Sequence, residues 1–367
     1  MSLRLRFFAH SWRSDWNHGN AHFLRGLVDE LTKLGHQVRC YEAENAWSYL
    51  NLLHEESASD SIQQFKAAFP NLDLRTYPED AFQQFAETEL RDSDIVVIHE
   101  WNPPEIANTI LSLKRRLGFR VLLHDTHHRA YTNPQQIAKF HLQDFDGVLA
   151  FGEPVRRIYL EFFNVQRAWT FHEAADTARF RSTFSSASTE INWIGNWGDE
   201  ERTRELHEFL TEPLRSLENK QAAVYGVRYP QQAKTQLQSA GIEYRGYLPN
   251  LSAPGVYSQC ALTLHIPRRF YSNGLGGIPT IRLFEAFACG VPVVCSPWED
   301  HEHLFSPNQD FISVSDGRAM KSEIAHLLRD DAARIQLSSS ALDTIQRRHT
   351  CHHRAIQFQH ICEELGK

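Results

Sequence analysis

Short apolar segments alternate with longer amphipathic segments along the first half of the chain. The apolar segments have the length of buried strands, and the amphipathic ones repeat their apolar residues with helical spacing. We predict strands over residues 3–9, 37–41, 95–99, 120–124, 147–150 and 167–170, and helices over 21–34, 104–117 and 154–163. This alternation predicts an α/β architecture in which parallel strands are joined by right-handed helical crossovers.

The same alternation starts again after a stretch rich in serine and threonine, residues 180–189. The second series of predicted strands covers 190–195, 221–226, 242–246, 261–266, 291–295 and 310–314. We interpret the stretch between the two series as a linker, so that an N-terminal domain spans 1–180 and a C-terminal domain spans 190–345. We predict that residues 346–367 form a helix that packs back on the first domain. Two doubly wound, Rossmann-like domains that face each other form a deep cleft, and ligands bind beyond the carboxyl ends of their strands.

Composition and charge narrow the class of protein. Hydrophobic residues make up 42% and charged residues 23% of the 367 residues, as in folded soluble proteins. The formal charge of -7 argues against a nucleic-acid-binding protein, which needs a basic face. No apolar stretch has the length of a transmembrane helix, and the charged N-terminus is unlike a signal peptide. The six cysteines are scattered, which favours free thiols in a reducing cytoplasm over disulfides or a zinc site.

The most informative stretch is a glycine-rich loop followed by a helix and a strand, residues 274–294. Glycines allow the backbone to approach a ligand, Pro279 suits a first helical turn, and free amides at a helix start favour a diphosphate. Arg282 and Glu285 share one helix face, where an arginine can pair with phosphate and a carboxylate can accept both hydroxyls of a ribose. The nucleotide-binding residues expected here are Gly276, Gly277, Thr280, Arg282 and Glu285.

Residues 282–294 resemble the Glu-Ala-x-Ala-x-Gly-x-Pro-Val signature of group-1 glycosyltransferases. The Arg-Leu-Phe-Glu-Ala version is similar to the branch named after bacterial spore-maturation proteins. The resemblance implies the GT-B fold, retention of configuration, a nucleotide-diphosphate sugar as substrate rather than a bound cofactor, and Glu285 at the donor ribose. One position departs from the family: Gly277 stands where many retaining members carry a second glutamate near the donor sugar.

The family holds the diphosphate with a Gly-Arg…Lys pattern after the first strand of the second domain. This chain has Asn196 at the arginine position and Arg202 near the lysine position, so a second cation has to come from elsewhere. Arg268 and Arg269 follow the strand 261–266 and are candidates. The alternative is that Arg202 is an exposed helix residue paired with a neighbouring glutamate, and that Arg268 and Arg269 have no functional role.

In the first domain, His124 and Asp125 lie at the end of the strand 120–124 and are expected to face the cleft. The resemblance implies that His124, with His127 as the alternative, contacts the donor sugar near the reacting carbon. Asp125 would orient it or accept a proton from the acceptor. A hydrogen-bonded loop histidine is the structural alternative. We expect no metal here, because ligands must converge and neighbours on a loop point in different directions.

The loop after the first strand, residues 10–20, holds a second group of candidates. Group-1 enzymes have a glycine-rich loop here that closes on the donor phosphate and the acceptor, and Gly19 corresponds to its glycine. Trp12 and Trp16 either stack on a sugar or pack in the core, and the sequence leaves both possibilities open. The residues assigned to this loop or to the acceptor are Asp15, Trp16, His18 and Gly19.

The predicted reaction is therefore transfer of a sugar from its nucleotide diphosphate to an unidentified acceptor, either a glycan, a lipid or a small molecule. Arg202, Arg282 and the start of the helix would stabilise the departing diphosphate, so no divalent metal is expected. Two alternatives remain: a nucleotide-sugar epimerase of the same fold, and a homologue that binds nucleotide sugars without turning them over.

Overall fold

The computed structural model describes residues 2–181, 190–198, 200–218 and 220–366. The chain forms two compact units: unit 1 is Met1–Glu173 with Cys351–Lys367, and unit 2 is Ala174–Thr350. Most of the predicted linker, residues 182–189, lies outside the described residues.

Unit 1 is built on a parallel sheet of seven strands in the order β3-β2-β1-β4-β5-β6-β7. The strands are β1 (Arg4–Phe8), β2 (Gln37–Ala43), β3 (Leu74–Tyr77), β4 (Ile95–His99), β5 (Arg120–Asp125), β6 (Gly147–Ala150) and β7 (Ala168–Thr170). Helices α1 (Ala21–Lys33), α2 (Trp47–Leu52), α3 (Ala58–Ala68), α4 (Phe82–Glu89), α5 (Pro104–Leu117), α6 (Arg129–Thr132), α7 (Pro134–Ile137) and α8 (Glu153–Arg157) connect them. A π-helical turn, Ile158–Phe162, continues α8, and 3-10 turns cover Ala138–Phe140 and Leu142–Asp144.

Unit 2 is built on a parallel sheet of six strands in the order β10-β9-β8-β11-β12-β13. The strands are β8 (Glu190–Ile194), β9 (Gln221–Tyr225), β10 (Glu243–Tyr244), β11 (Cys260–His265), β12 (Val293–Cys295) and β13 (Ile312–Ser313). Its helices are α9 (Glu200–Leu206), α10 (Glu212–Arg215), α11 (Gln231–Ser239), α12 (Ala253–Ser258), α13 (Arg269–Asn273), α14 (Ile281–Ala288), α15 (Gly317–Leu327) and α16 (Asp331–Arg348). A π-helical turn covers His207–Thr211 and a 3-10 turn covers Asn250–Ser252.

The last helix, α17 (Cys351–Leu365), packs in unit 1. The ring of Phe358 lies 5.7 Å from that of Phe7 on β1, and Arg354 donates a hydrogen bond to the carbonyl of His172 at 2.9 Å. Apolar contacts and a hydrogen bond to a backbone carbonyl hold α17 in a unit that otherwise ends at Glu173.

Two local expectations need correction. The helix after the glycine-rich loop begins at Ile281 rather than at Pro279, because Thr280 has an extended backbone (φ -86°, ψ 160°) and is the residue that caps the helix. Strand β3 was not predicted, because its sequence Leu-Arg-Thr-Tyr forms no apolar run. Three of its four residues are half-buried. The end of α14 agrees with the prediction: Gly290 takes a left-handed conformation (φ 69°), which lets Val291 N–H bond to the Ala286 carbonyl at 3.0 Å.

Candidate functional site

The carboxylate of Glu285 on α14 is fully buried, and both its oxygens accept hydrogen bonds. Oε1 accepts one from Asn250 Nδ2 at 2.8 Å, and Oε2 accepts one from Arg282 Nη1 at 2.5 Å. Each carboxylate oxygen has two acceptor positions, so further hydrogen bonds from ligand hydroxyls remain possible. The structure thus brings Arg282 and Glu285 together as an ion pair. Asn250 was missed because it lies on the crossover between β10 and β11, outside any motif.

The start of α14 is organised by a buried histidine on β11. Nε2 of His265 lies 3.0 Å from Thr280 Oγ1, and Nδ1 lies 3.1 Å from Cys295 Sγ. Thr280 makes no side-chain capping hydrogen bond to α14, since its hydroxyl is engaged by His265. Burial, with the charge of Arg202 as a smaller cause, lowers the pKa of His265 to about 3. The imidazole is therefore neutral. Because the Thr280 hydroxyl is hydrogen-bonded to this imidazole, it does not compete with a ligand for the first amide groups of α14.

Arg202 and Arg268 lie next to Gly198, in the loop after β8. A Cβ atom added at Gly198 would lie 2.9 Å from Arg268 Nη2 and 3.3 Å from Arg202 Cβ. Arg202 is buried rather than exposed, and its guanidinium lies 5.3 Å from the ring centre of Trp193. The structure therefore contradicts the alternative of an exposed Arg202, and it places Arg202 and Arg268 next to the same glycine.

The other two residues proposed for this region have structural partners. Asn196 Oδ1 accepts a hydrogen bond from Val227 N at 2.8 Å, which ties the loop after β8 to the loop after β9. Arg269 forms an ion pair with Glu205 on α9 at 2.6 Å. Asn196 supplies no cation and the charge of Arg269 is paired with Glu205, so Arg202 and Arg268 are the stronger candidates for binding a diphosphate.

The glycine pair before α14 makes room for His301. A Cβ atom added at Gly276 would lie 2.9 Å from His301 Nε2, and one added at Gly277 would lie 2.9 Å from the backbone nitrogen of His301. Gly277 also has φ 89°, a conformation that residues with side chains rarely adopt. This backbone does not accommodate the glutamate that many family members have at the position of Gly277.

His124 lies at the end of β5 and its side chain is buried. Its ring packs against those of Phe23, Phe171 and His99, with centroids at 6.0, 5.7 and 5.5 Å. Nε2 has no hydrogen-bond partner among the described residues. Because burial lowers the pKa of His124 to about 3, the imidazole is neutral throughout the physiological range.

Asp125 does not orient His124. Its Oδ2 accepts a hydrogen bond from the Tyr159 hydroxyl at 2.6 Å, and its Oδ1 accepts one from the backbone N–H of His127 at 2.9 Å. Burial raises the pKa of Asp125, and burial together with the charge of Asp125 raises that of Glu100 at the end of β4. The hydrogen bonds of Asp125 therefore shape the loop after β5. Beside it, Arg129 forms an ion pair with Glu100.

Four imidazoles, half-buried His10 and buried His18, His99 and His124, gather at the carboxyl ends of β1, β4 and β5. His10 lies 3.9 Å from His18 and 5.4 Å from His99, between ring centroids, and His99 is the neighbour of His124. Neither ring nitrogen of His18 has a hydrogen-bond partner among the described residues. Burial lowers the pKa of all four imidazoles. Sequence reasoning named His18 and His124 and missed the cluster, because residues 18, 99 and 124 meet only through the strand order.

In the loop of residues 10–20, the two tryptophans differ. Trp12 is buried and donates a hydrogen bond from Nε1 to the Tyr41 carbonyl at 3.0 Å, so it belongs to the core. Trp16 is half-buried, and its Nε1 donates to Glu55 Oε1 at 2.7 Å. Asp15 is held by Arg25 at 3.0 Å. Gly19 follows His18 directly and is half-buried.

No three His, Cys, Asp or Glu side chains in the described part of the chain are arranged to hold a metal ion. Two Asp-x-Asp tripeptides occur, at 92–94 and 144–146. Asp94 is paired with Arg4 at 2.7 Å and Asp146 with Arg120 at 3.1 Å, both at the amino ends of strands. No described helix is both long and apolar enough to span a membrane.

Comparisons with known proteins concern the fold and the C-terminal part of the chain. Residues 202–360 match the family model described as "Glycosyl transferase-like". Sucrose-phosphate synthase from Thermosynechococcus elongatus superposes with a TM-score of 0.69 at 13% identity, covering 99% of both chains. HepE from Anabaena in complex with UDP and glucose superposes with a TM-score of 0.70 at 10% identity, covering 98% of this chain and 99% of HepE. A mutant of T4 phage BGT in complex with UDP-glucose superposes with a TM-score of 0.64 at 11% identity, covering 99% of both chains. No curated protein matches the chain in sequence.

The structural matches show that the fold is the GT-B fold, as the resemblance implied. Together with the family match over the C-terminal half, they define the class of protein: the chain is a glycosyltransferase of the GT-B type.

Proposed function

We propose that this glycosyltransferase transfers a sugar from a nucleotide-diphosphate sugar to a glycan, lipid or small-molecule acceptor in the cytoplasm. Transfer proceeds with retention of configuration and without a divalent metal or other cofactor, and the enzyme is closest to the spore-maturation branch. The observation that carries the proposal is the buried carboxylate of Glu285, held by Arg282 and Asn250 on a helix whose capping hydroxyl is engaged elsewhere.

The nucleotide binds along α14 in this proposal. Glu285 accepts the ribose hydroxyls, and the amides at the start of α14 bind the diphosphate together with Arg202 and Arg268. These groups are fixed before the reaction, so they stabilise the charge that develops on the leaving diphosphate without reorganisation. UDP sugars are the first donors to test, because UDP and UDP-glucose are named in the complexes of HepE.

His124 acts in the transfer step rather than in nucleotide binding. The family resemblance implies this role, since a histidine after the corresponding strand contacts the donor sugar near the reacting carbon. Its orphan Nε2 has the hydrogen-bonding capacity to engage a sugar hydroxyl as the bond to the diphosphate breaks. His124 is neutral, so it acts as a donor or acceptor of a hydrogen bond and not as a fixed positive charge.

One observation favours a second function, a homologue that binds nucleotide sugars without turning them over. The position of Gly277 has no room for a carboxylate, since the backbone of His301 packs against it. If a glutamate is essential there, the protein binds donors and releases no product.

The experiment combines a thermal-shift screen of nucleotide diphosphates and their sugars with a turnover assay in a chelator. A ligand that binds only the native state raises the melting temperature with concentration. Release of nucleotide from a UDP sugar supports the transferase. Binding without turnover identifies the inactive homologue, and conversion of the sugar while it stays attached to the nucleotide identifies an epimerase. A protein that no nucleotide stabilises would contradict the donor site.

A further inference from the structure

The donor site contains a buried polar atom without a hydrogen-bond partner. Asn250 is 5% exposed and begins the 3-10 turn Asn250–Ser252. Its Nδ2 donates to Glu285 Oε1 at 2.8 Å, while its Oδ1 has no hydrogen-bond partner among the described residues. Buried polar side-chain atoms nearly always have a partner, so this atom needs an explanation.

The orientation of the Asn250 amide is determined by its neighbour. Glu285 is the acidic partner of an ion pair with Arg282, and the carboxylate of such a pair only accepts hydrogen bonds. The nitrogen of the amide must therefore face Glu285, since an oxygen in that place would meet another oxygen. The unpartnered atom is consequently an acceptor, and only a hydrogen-bond donor can satisfy it.

We propose that Asn250 is a specificity residue that recognises the nucleoside of the donor. This inference rests on the proposed function, because it assumes that Glu285 binds the ribose. Nδ2 keeps the carboxylate of Glu285 in place, and Oδ1 accepts a hydrogen bond from a ribose hydroxyl or from an N–H group of the base. A nucleoside with an acceptor or an alkyl group at that place would leave Oδ1 unpaired and bind less well.

The test starts by choosing, among UDP, ADP, GDP and CDP, the nucleotide that binds best by calorimetry. Its 2′-deoxy, 3′-deoxy and base N-methylated analogues are then compared on four proteins: the unmodified chain and the variants Asn250→Leu, Glu285→Gln and Asn108→Leu. Asn108 is the matched control, because in unit 1 its Nδ2 also donates a hydrogen bond and its Oδ1 is also buried without one.

We expect the unmodified protein and Asn108→Leu to bind both deoxy analogues more weakly than the parent nucleotide, because Glu285 accepts both ribose hydroxyls. The analogue that lacks the donor for Asn250 should lose a further factor of about three to ten in affinity, the effect of one neutral hydrogen bond. Asn250→Leu should abolish this further loss and keep the discrimination that Glu285 makes. Glu285→Gln should instead reduce discrimination at both ribose hydroxyls. Which analogue shows this effect tells whether Asn250 Oδ1 accepts a hydrogen bond from a ribose hydroxyl or from an N–H group of the base.

An equal loss of affinity for all four ligands in Asn250→Leu, or no loss at all, would overturn the inference and leave Asn250 as a support for Glu285. Asn250→Ala serves if the leucine variant does not fold. If none of the nucleotides binds the unmodified protein, the proposed function itself fails, and the inference fails with it.

Discussion

The replacement of His124 by phenylalanine separates a structural from a catalytic role of this residue. Phenylalanine fills the space between Phe23 and Phe171 without ring nitrogens, so no cavity forms and the orphan Nε2 disappears. Alanine would instead leave a cavity, with a loss of about 2–5 kcal/mol in stability that obscures any effect on the reaction. His22→Phe is the matched control, because His22 is buried in the same unit and has no proposed role.

The stability effect depends on pH with a definite sign. Burial lowers the pKa of His124 from 6.5 to about 3, so below pH 6.5 the unfolded chain binds a proton that the folded chain does not. Stability is therefore lost as pH falls, by about 1.4 kcal/mol per pH unit and about 2 kcal/mol by pH 5. In His124→Phe this loss is absent, so the urea midpoint should fall less between pH 8 and pH 5 than in the unmodified protein.

The kinetic effect should appear in turnover alone. A hydrogen bond made only in the transition state lowers kcat and leaves ground-state affinity unchanged. We expect donor turnover to fall about 10²–10⁴-fold in His124→Phe while donor affinity stays within a few fold. Near-normal turnover would show that His124 is a structural histidine of the core and turn attention to His127. Equal losses of affinity and turnover would make it a binding residue.

Three further predictions concern unit 2. Glu285→Gln should lower nucleotide affinity about 10–100-fold, as expected for hydrogen bonds to a charged group, in a variant whose melting curve shows a folded protein; unchanged affinity by calorimetry, with Glu190→Gln as the control, would refute the donor assignment. Turnover should survive a chelator, because Arg202 and the helix amides carry the charge, and loss of activity restored by magnesium or manganese would contradict this. Gly277→Ala should lower the melting temperature, because the residue has φ 89° and the added Cβ meets His301; an unchanged melting temperature would mean that the loop is free to move.

The periodicity of apolar residues was sufficient for the fold class. Parallel strands buried on both faces read as short apolar runs, as in β4 and β11, and the helices between them show their buried face by spacing alone. Gly290 and the Arg282–Glu285 pair were also readable, since both depend on neighbours within one helix turn or its cap.

Other features depended on the strand order, which the sequence does not show. Asn250 meets Glu285, and His10, His18, His99 and His124 form one cluster, only because crossovers bring distant strand ends to one edge of a sheet. Burial was the second unknown: the sequence left open whether Arg202 is exposed, and it did not show that Arg202 and His124 are both removed from water. The sequence by itself determined the elements and the local motif, because these rest on interactions within a few residues. The tertiary structure decided which polar groups share a site and which are desolvated, because both are properties of packing between segments far apart in the chain.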